Sequence, residues 1–312
     1  MASGARQAIK NASTREMAGF IPKSCSAGWH ANFSTFMREF RRMKFGFVGM
    51  AALALVAFEA VSAPSNDFRF SIIGDRTGEA TPGVYERVWQ EVDSLHPDFV
   101  INVGDVIEGG DDATAERQWR EVAAVWRHYS YPLYFTPGNH DIWSAVSEKL
   151  YEKYTGRPPF YSFDYQEAHF TILDNSRSEN LSDTQMRFLE ADLEKHRDSD
   201  AKFVFFHKPT VWLIPLKFQS HFALHDVLTR YRVTAVFSGH THQFARLEKD
   251  GIVYLCVGSS GGHLRVSGDG FAQGWFYGHV LAVVKGSKVD LKVKEIDPPM
   301  GKGRVWNEPR RN

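Results

Sequence analysis

The sequence predicts an α/β fold built on a mixed β-sheet. From Phe68 onward, short apolar runs of strand length alternate with amphipathic segments of helical length, which is the pattern of successive βα units. Two stretches, residues 160–174 and 252–296, are instead rich in strand-forming residues with glycine turns, and they predict antiparallel strands added to the sheet. No internal repeat or linker interrupts the pattern, so we expect one domain from residue 64 to residue 312.

Each predicted element follows from its local composition. β-Branched and aromatic residues over strand length predict five strands, at Phe68–Ile73, Phe99–Val103, Leu133–Phe135, Lys202–Phe206 and Thr234–Phe237. Amphipathic segments between them predict five helices, at Val84–Ser94, Ala115–His128, Ala145–Tyr154, Thr184–His196 and His221–Tyr231. Ser182 and Asp183 are suited to cap the fourth helix. The apolar residues 211–216 are predicted to pack under a loop or to form the rim of a site.

The N-terminal region has the features of an export signal. Basic residues at positions 41–44 precede an apolar run from Phe45 to Phe58, which is short for a membrane span, and small residues follow. We predict a signal peptide at residues 43–63 and an exported, periplasmic or secreted protein with no stable membrane span after signal removal. An uncleaved anchor or a buried helix is the alternative. Because signal peptides begin at an initiator Met, residues 1–42 are predicted to be a translated upstream extension or a disordered segment.

The distribution of charge argues against general nucleic-acid binding. The whole chain has 37 basic and 37 acidic residues, of which residues 1–63 hold eight basic and three acidic ones. The remaining chain therefore has 37 − 8 = 29 basic and 37 − 3 = 34 acidic residues, a net charge near −5. A general nucleic-acid binder needs a basic surface that displaces counterions from phosphates. We expect a small-molecule substrate instead.

Polar residues cluster at the ends of the five predicted strands. These ends are Gly74-Asp75, Gly104-Asp105, Gly138-Asn139-His140-Asp141, His207 and Gly239-His240-Thr241-His242. Ligands of open α/β sheets bind at the carboxyl ends of the strands. One Gly-Asp pair is usually only a turn, but carboxylates, an amide and imidazoles together are the ligand set of divalent Mn, Fe, Co or Zn. The sequence therefore predicts a metal site.

These strings resemble the ordered motifs of the calcineurin-like metallophosphoesterases, and the resemblance extends from Phe68 to about Ile296. It implies a four-layer α/β/β/α sandwich with mixed β-sheets and two divalent metal ions. It also implies that Asp105 bridges the two ions. Asp75 and His242 would bind the first ion, and Asn139, His207 and His240 the second.

The first motif departs from the family pattern. The family usually has a histidine two residues after the aspartate, whereas this chain has Thr77 after Asp75. The related purple acid phosphatases also lack that histidine and use a tyrosine three residues after the bridging aspartate, where this chain has Glu108. We hypothesise that Glu108 completes the first site, its oxygen favouring Mn or Fe over Zn or Co. The alternative is a solvated loop acid.

Three further residues are predicted to act on the substrate or on each other. The resemblance makes His140 the group that protonates the leaving alkoxide or stabilises the charged transition state. Asp141 would orient the imidazole of His140 and raise its pKa. The guanidinium of Arg76 would bind two oxygens of the substrate phosphate, and the alternative is a salt bridge to a nearby acidic residue. His263 is the remaining candidate for the site, whereas His169 and His225 are predicted to be structural.

The predicted function is hydrolysis of phosphoric esters by a metal-bridging hydroxide, which two closely spaced ions make nucleophilic near neutral pH. The substrate is a phosphomonoester or a phosphodiester, including nucleotides and phospholipid headgroups, which the sequence does not separate. The alternative is a noncatalytic or weakly active protein of the same fold that binds a phosphate ligand, because Thr77 leaves the first metal site short of one imidazole.

Overall fold

The computed structural model describes residues 67–218, 222–266, 270–296 and 304–306. All of them lie in the compact unit Ser62–Asn312. The predicted extension at residues 1–42 and the predicted signal peptide at residues 43–63 lie outside the described residues and stay predictions.

Twelve strands are described, arranged in two six-stranded mixed sheets. Sheet one has the order β12-β11-β10-β1-β2-β3 and sheet two the order β4-β5-β6-β7-β9-β8. The strands of sheet one are β1 (Phe68–Ile73), β2 (Phe99–Asn102), β3 (Leu133–Phe135), β10 (Gly278–Lys285), β11 (Lys288–Glu295) and β12 (Val305–Trp306). Those of sheet two are β4 (Tyr161–Tyr165), β5 (Ala168–Ile172), β6 (Ala201–Phe205), β7 (Ala235–Ser238), β8 (Ala245–Lys249) and β9 (Ile252–Cys256).

Six α-helices flank these sheets in the described part of the chain. They are α1 (Val84–Ser94), α2 (Asp112–Trp126), α3 (Ala145–Thr155), α4 (Asp183–Lys195), α5 (Thr210–Phe218) and α6 (Ala223–Arg230). The predicted start of α2 was three residues late because Asp111 caps the helix, its side chain accepting a hydrogen bond from the amide of Ala113. Ser182 caps α4 as predicted, accepting from the amide of Gln185.

Three apolar clusters define four layers. Side chains from both sheets form the central cluster, in which the rings of Phe70 and Phe170 meet edge to face at 5.3 Å. A second cluster lies between sheet one and helices α1 to α3, and a third between sheet two and helices α4 to α6. This arrangement confirms the predicted α/β/β/α sandwich with mixed sheets.

Helix α5 was not predicted. The sequence from Val211 to Leu216 is continuously apolar and was expected to pack under a loop or to form the rim of a site. It also contains Pro215, which removes one helical N–H donor. It forms a helix because Trp212 is fully buried and donates a hydrogen bond from Nε1 to Oγ of Ser238 at 3.2 Å. Among the described helices, none combines the length and the apolar character that crossing a bilayer requires.

The parallel strands determine where the predicted motifs meet. Strands β1, β2 and β3 are parallel to one another, as are β5, β6, β7 and β9. Across the two sheets, the residue after β1, Asp75, forms a parallel bridge with Ser259 beyond β9, and the amide of Gly74 donates to Oγ of Ser260 at 2.8 Å. The carboxyl ends of both parallel groups are thereby brought to one edge of the sandwich.

Candidate metal centre

Five strand ends bring most of the predicted ligands together. Asp75 follows β1, Asp105 follows β2, Asn139 follows β3, His207 follows β6, and His240 and His242 follow β7. Two groups of ligand atoms lie within 4.8 Å of one another, one from Asp105, His207 and His240, the other from Asp75, Asp105 and His242. Asp105 belongs to both groups. This is the position that a carboxylate shared by two ions must occupy.

The distances show that these side chains converge on one place. Nε2 of His207 lies 3.0 Å from Oδ2 of Asp105 and 3.9 Å from Oδ1 of Asp75, which are ion-pair distances without hydrogen-bond geometry. Nε2 of His242 also lies 3.9 Å from Oδ1 of Asp75. Such spacing is expected of ligands that surround a common cation.

Main-chain carbonyl groups orient two of the imidazoles. Nδ1 of His207 donates to the carbonyl of Val103 and Nδ1 of His242 to the carbonyl of His263, each at 2.8 Å. A carbonyl oxygen can only accept, so Nδ1 carries a hydrogen and Nε2 is the nitrogen that can bind a metal ion once it has lost its own proton. Metal-binding histidines in proteins are commonly held in this way.

Several buried polar atoms of the site have no hydrogen-bond partner. They are Oδ2 of Asp75, Oδ1 of Asn139 and Nε2 of His207. Leaving such atoms unsatisfied costs about 1–3 kcal/mol each, and more when they are charged. All three are electron-pair donors, so divalent cations would satisfy them. The residues present therefore fit the metal ions that the sequence predicts.

Glycines let the backbone approach the ligands closely. A Cβ on Gly138 would overlap the carboxylate of Asp105, and one on Gly104 would lie 2.6 Å from Nδ1 of His207. Gly104 also has a φ of 106°, which other residues rarely adopt. Asp105, His240 and His242 have positive φ angles of 55°, 70° and 59°. Strained backbone of this kind is concentrated at functional sites.

Burial and close charges shift the pKa values of the ligands in the metal-free protein. Burial raises the pKa of Asp75 to about 6. Burial would lower the pKa of His207, but the neighbouring Asp105 outweighs it and raises the pKa to about 9. Burial and the charge of His207 lower the pKa of His240 to about 4. Asp105 and Asp75 are at most 2% exposed, so two carboxylates share a dry site that requires positive charge.

His140 lies at the site, but Asp141 does not orient it. The amide of His140 donates to Oδ1 of Asp105 at 2.9 Å, and Nδ1 of its ring bonds to the carbonyl of Glu108 at 2.5 Å. The carboxylate of Asp141 instead accepts from the amides of Val106, Ile107 and Gly138. The prediction that Asp141 orients the imidazole is therefore wrong. Asp141 is fully buried because the turns that carry Asp105 and Asn139 need an acceptor for their N–H groups.

Glu108 lies beside the site with its carboxylate bound to backbone amides. Oε2 accepts from the amides of Gly78 and Glu79 at 3.3 Å each, and Oε1 accepts from the amide of Ala80 at 2.9 Å. Burial would raise the pKa of Glu108, but the Thr77 hydroxyl and these amides lower it. Glu108 is not a member of either ligand group, so its predicted role as a metal ligand stays a prediction.

Arg76 does not line the cavity at the site. Its guanidinium donates to the carbonyl of Val106 at 3.1 Å and lies over the ring of Tyr85, so the predicted phosphate contact stays a prediction. The basic residues that do line the cavity are His263 and Arg265. Arg265 was missed because it belongs to no motif, although its place in the glycine-rich segment 258–270 was a usable signal.

The comparison with known families agrees with this geometry. A family model described as calcineurin-like phosphoesterase matches residues 68–244, which is more than half of the chain. The chain belongs to the calcineurin-like phosphoesterase family. The match confirms the predicted resemblance, and the metal dependence of the family agrees with the two candidate ligand groups.

Relatives of this chain include plant proteins named as purple acid phosphatases. Purple acid phosphatase 23 of Arabidopsis thaliana is 24% identical over 271 residues, covering 69% of this chain and 57% of the relative. Purple acid phosphatase 13 of the same plant is 27% identical over 161 residues, covering 42% of this chain and 29% of the relative. The chain thus spans only part of the length of these relatives.

Solved structures support the fold of the phosphoesterase. Purple acid phosphatase PPD1 from yellow lupin (Lupinus luteus) seeds has a TM-score of 0.57 at 15% identity, covering 79% of this chain and 55% of that chain. GAP50 of Plasmodium, described as the anchor in the inner membrane complex, has a TM-score of 0.53 at 14% identity, covering 78% and 90%. At these identities the likeness concerns the fold alone.

Proposed function

We propose that this chain is a metal-dependent hydrolase of phosphoric esters, acting on monoesters or diesters at a dinuclear metal centre. The observation that carries the proposal is that Asp105 belongs to two adjacent groups of ligand atoms. A single carboxylate between two sites places two ions close enough to act on one phosphoryl group. Family membership supports the reaction class.

The protein residues divide into those that hold the ions and those that face the substrate. Asp75, Asp105 and His242 would hold one ion, and Asn139, His207 and His240 would hold the other with Asp105. When bound, such ions supply a nucleophilic hydroxide and positive charge for the transition state. His140, whose Nδ1 donates to a carbonyl, would donate a proton from Nε2 to the leaving oxygen in its imidazolium form, which carries a hydrogen on both ring nitrogens.

The cavity next to the ligands has a suitable size and charge for an ester. It has a volume of about 370 Å³ and is lined by Asp105, His140, His240 and His242 on the metal side. Its other walls carry the acidic Glu79 and Glu108 and the basic His263 and Arg265. The basic side chains would bind non-bridging oxygens or an anionic leaving group.

The ligand set also bears on the metal. The first site offers two carboxylates and one imidazole, and Thr77 stands where the family pattern has a second imidazole. An oxygen-rich site suits the harder ions, so we propose Mn or Fe, with Zn and Co as alternatives.

A second candidate function follows from the same incomplete site. Thr77 is fully buried where the family pattern has a histidine, and the Glu108 carboxylate is already bound to three amides. If the first ion binds weakly, the chain would be a noncatalytic or weakly active protein that binds a phosphate ligand. The experiment below separates this candidate from the hydrolase.

We also propose that the protein is exported. The basic residues before Phe45 and the apolar run that follows support this location, as do the small residues before residue 64. N-terminal sequencing of the protein recovered from outside the cytoplasm would test it, with a start near residue 64 as the expected result.

The decisive experiment measures metal content and turnover on the same sample. We expect about two divalent ions per chain and hydrolysis of p-nitrophenyl phosphate or its bis ester, increased by added Mn²⁺. His207→Ala should lose metal and activity together, whereas His128→Ala, an exposed histidine between α2 and β3, should keep both. Two bound ions without turnover on either ester would favour the binding protein, and no bound ion would refute the dinuclear centre.

A further inference from the structure

A second group of histidines and carboxylates lies away from the candidate metal centre. Asp164 is on β4, His169 is on β5, and His196 is the C-cap of α4. His169 is the second residue of β5 and pairs with Asp164 across the two strands. The group therefore lies near the amino end of β5, whereas the candidate metal centre lies beyond the carboxyl ends of the parallel strands.

The three side chains bring their ligand atoms close together. Oδ1 of Asp164 lies 2.6 Å from Nδ1 of His169, and Oδ2 of Asp164 lies 3.6 Å from Nε2 of His196. The ligand atoms of all three residues are within 4.8 Å of one another. Two imidazole nitrogens and one carboxylate form a common ligand set for zinc and similar ions.

The opposite nitrogen of each imidazole already has an acceptor. Nε2 of His169 bonds to Oδ2 of Asp192 at 2.9 Å, and Nδ1 of His196 bonds to the backbone carbonyl of Asp192 at 2.8 Å. The Asp192 carboxylate is held in turn by the hydroxyls of Ser162 and Thr171, at 2.8 Å each. Carboxylate and carbonyl acceptors behind two histidines are the arrangement that orients metal-binding imidazoles.

We propose that Asp164, His169 and His196 bind a single divalent transition-metal ion, of which Zn²⁺ is the best match. Water completes the coordination, because the Asp164 side chain is 58% exposed while His169 and His196 are 1% and 15% exposed. The ion replaces a proton that otherwise lies between His169 and Asp164. It joins β4, β5 and the end of α4, so its expected effect is on the stability of sheet two.

Binding requires one local adjustment. The rings of His169 and His196 are stacked with centroids 3.7 Å apart and planes 13° from parallel. A metal in the plane of both rings requires the planes to converge, so the stack must open. His196 is the ring that moves, because it lies at a helix end and has the greater exposure.

Zinc content of the full-length protein tests the proposal. Wild-type protein and variants are dialysed against the same buffered free Zn²⁺, and metal per chain is measured by mass spectrometry. We expect the wild type to hold one more Zn²⁺ per chain than His196→Gln or Asp164→Asn. Asp198→Asn removes an exposed carboxylate two residues beyond His196 and is the matched control, which should bind like the wild type.

Thermal unfolding gives a second readout. At a hundredfold excess of Zn²⁺ over its Kd, we expect the wild-type Tm to rise by about 5 °C more than the Tm of His196→Gln. If that variant does not fold, Asp164→Asn provides the comparison, because its side chain is exposed. Equal zinc content and equal Tm shifts in wild type and variants would overturn the proposal and leave a proton-linked structural cluster.

Discussion

The backbone carbonyl of Glu108 accepts a hydrogen bond from Nδ1 of His140 at 2.5 Å. This bond fixes the tautomer of a partly exposed imidazole and leaves Nε2 free to face the cavity. The side chain of the same Glu108 binds the amides of Gly78, Glu79 and Ala80, and Gly78 and Glu79 also line the cavity. One residue therefore connects the candidate proton donor with the loop that follows the first metal ligand.

His140→Ala is expected to lower kcat by about 10²-fold or more while both metal ions stay bound, because general acid catalysis contributes roughly that much. The ring of His140 belongs to neither ligand group, so its loss removes no ligand atom. Single-turnover kinetics together with metal analysis would check this. Loss of one ion from the variant would contradict the assignment.

Glu108→Ala is expected to keep two ions but to loosen the loop at residues 78–80, whose three amides lose their acceptor. Water can replace the lost acceptor because Glu79 and Ala80 are exposed, so Tm falls only slightly and the main expected effect is a higher KM. Glu108→Gln retains one carbonyl acceptor, so its Tm and KM should lie between those of the wild type and those of Glu108→Ala. If Glu108→Ala instead loses one metal ion per chain, the ligand hypothesis made from the sequence is correct.

Gly262→Ala is expected to displace His242 and weaken the first metal site. A Cβ at this position would overlap the carbonyl oxygen of Thr77 and come within 2.6 Å of Cε1 of His242. Metal titration of the variant should show one weakened ion and one that binds as before. Gly110→Ala adds a methyl group in open space, with a φ of 77°, and so controls for a simple change of glycine. Unchanged metal affinity at both sites would show that the loop around Gly262 shifts to accommodate the added methyl group.

Arg265→Ala is expected to raise KM for an aryl phosphate monoester by about tenfold, which corresponds to the loss of one charge-assisted hydrogen bond. Arg265 lines the cavity, whereas Arg76 is bound to the carbonyl of Val106. Arg76→Ala should therefore lower stability with little change in KM. A raised KM in Arg76→Ala and an unchanged KM in Arg265→Ala would instead support the contact between Arg76 and phosphate that the sequence predicts.

The convergence of the candidate ligands was predictable because each lies within a few residues after a strand. A strand end is a local feature, and parallel strands bring such ends to one edge, so Asp75, Asp105 and His207 could be placed together without any contact being known. The partners of Asp141 and Arg76 were not predictable, because both side chains bind backbone groups whose positions depend on turns. The group at Asp164 and His169 combines residues from two strands and a helix end, with no motif spacing.

The ion pair between Glu91 and Lys294 leads to a prediction about acid stability. Oε1 of Glu91 lies 2.6 Å from Nζ of Lys294 and 3.5 Å from Nε2 of the buried His279. Burial would raise the pKa of Glu91, but the contacts with His279 and Lys294 outweigh it and lower the pKa to about 2. A carboxyl group whose pKa is lower in the folded state than in the unfolded state stabilises the protein at pH values above the pKa that the group has in the unfolded chain. That contribution is lost as the pH falls through the folded pKa.

Glu91→Gln is therefore expected to lower the free energy of unfolding by about 1 kcal/mol at pH 7. The effect is modest because both side chains of the ion pair are 23% exposed and water screens their charges. The difference from the wild type should shrink below pH 4.5 and vanish near pH 2. Urea unfolding at pH 7, 5 and 3 would measure it, with Glu86→Gln, an exposed acid on the same helix, as the control. A difference that stays constant across this range would mean that the glutamine disturbs packing and that the ion pair is not the source of the stability.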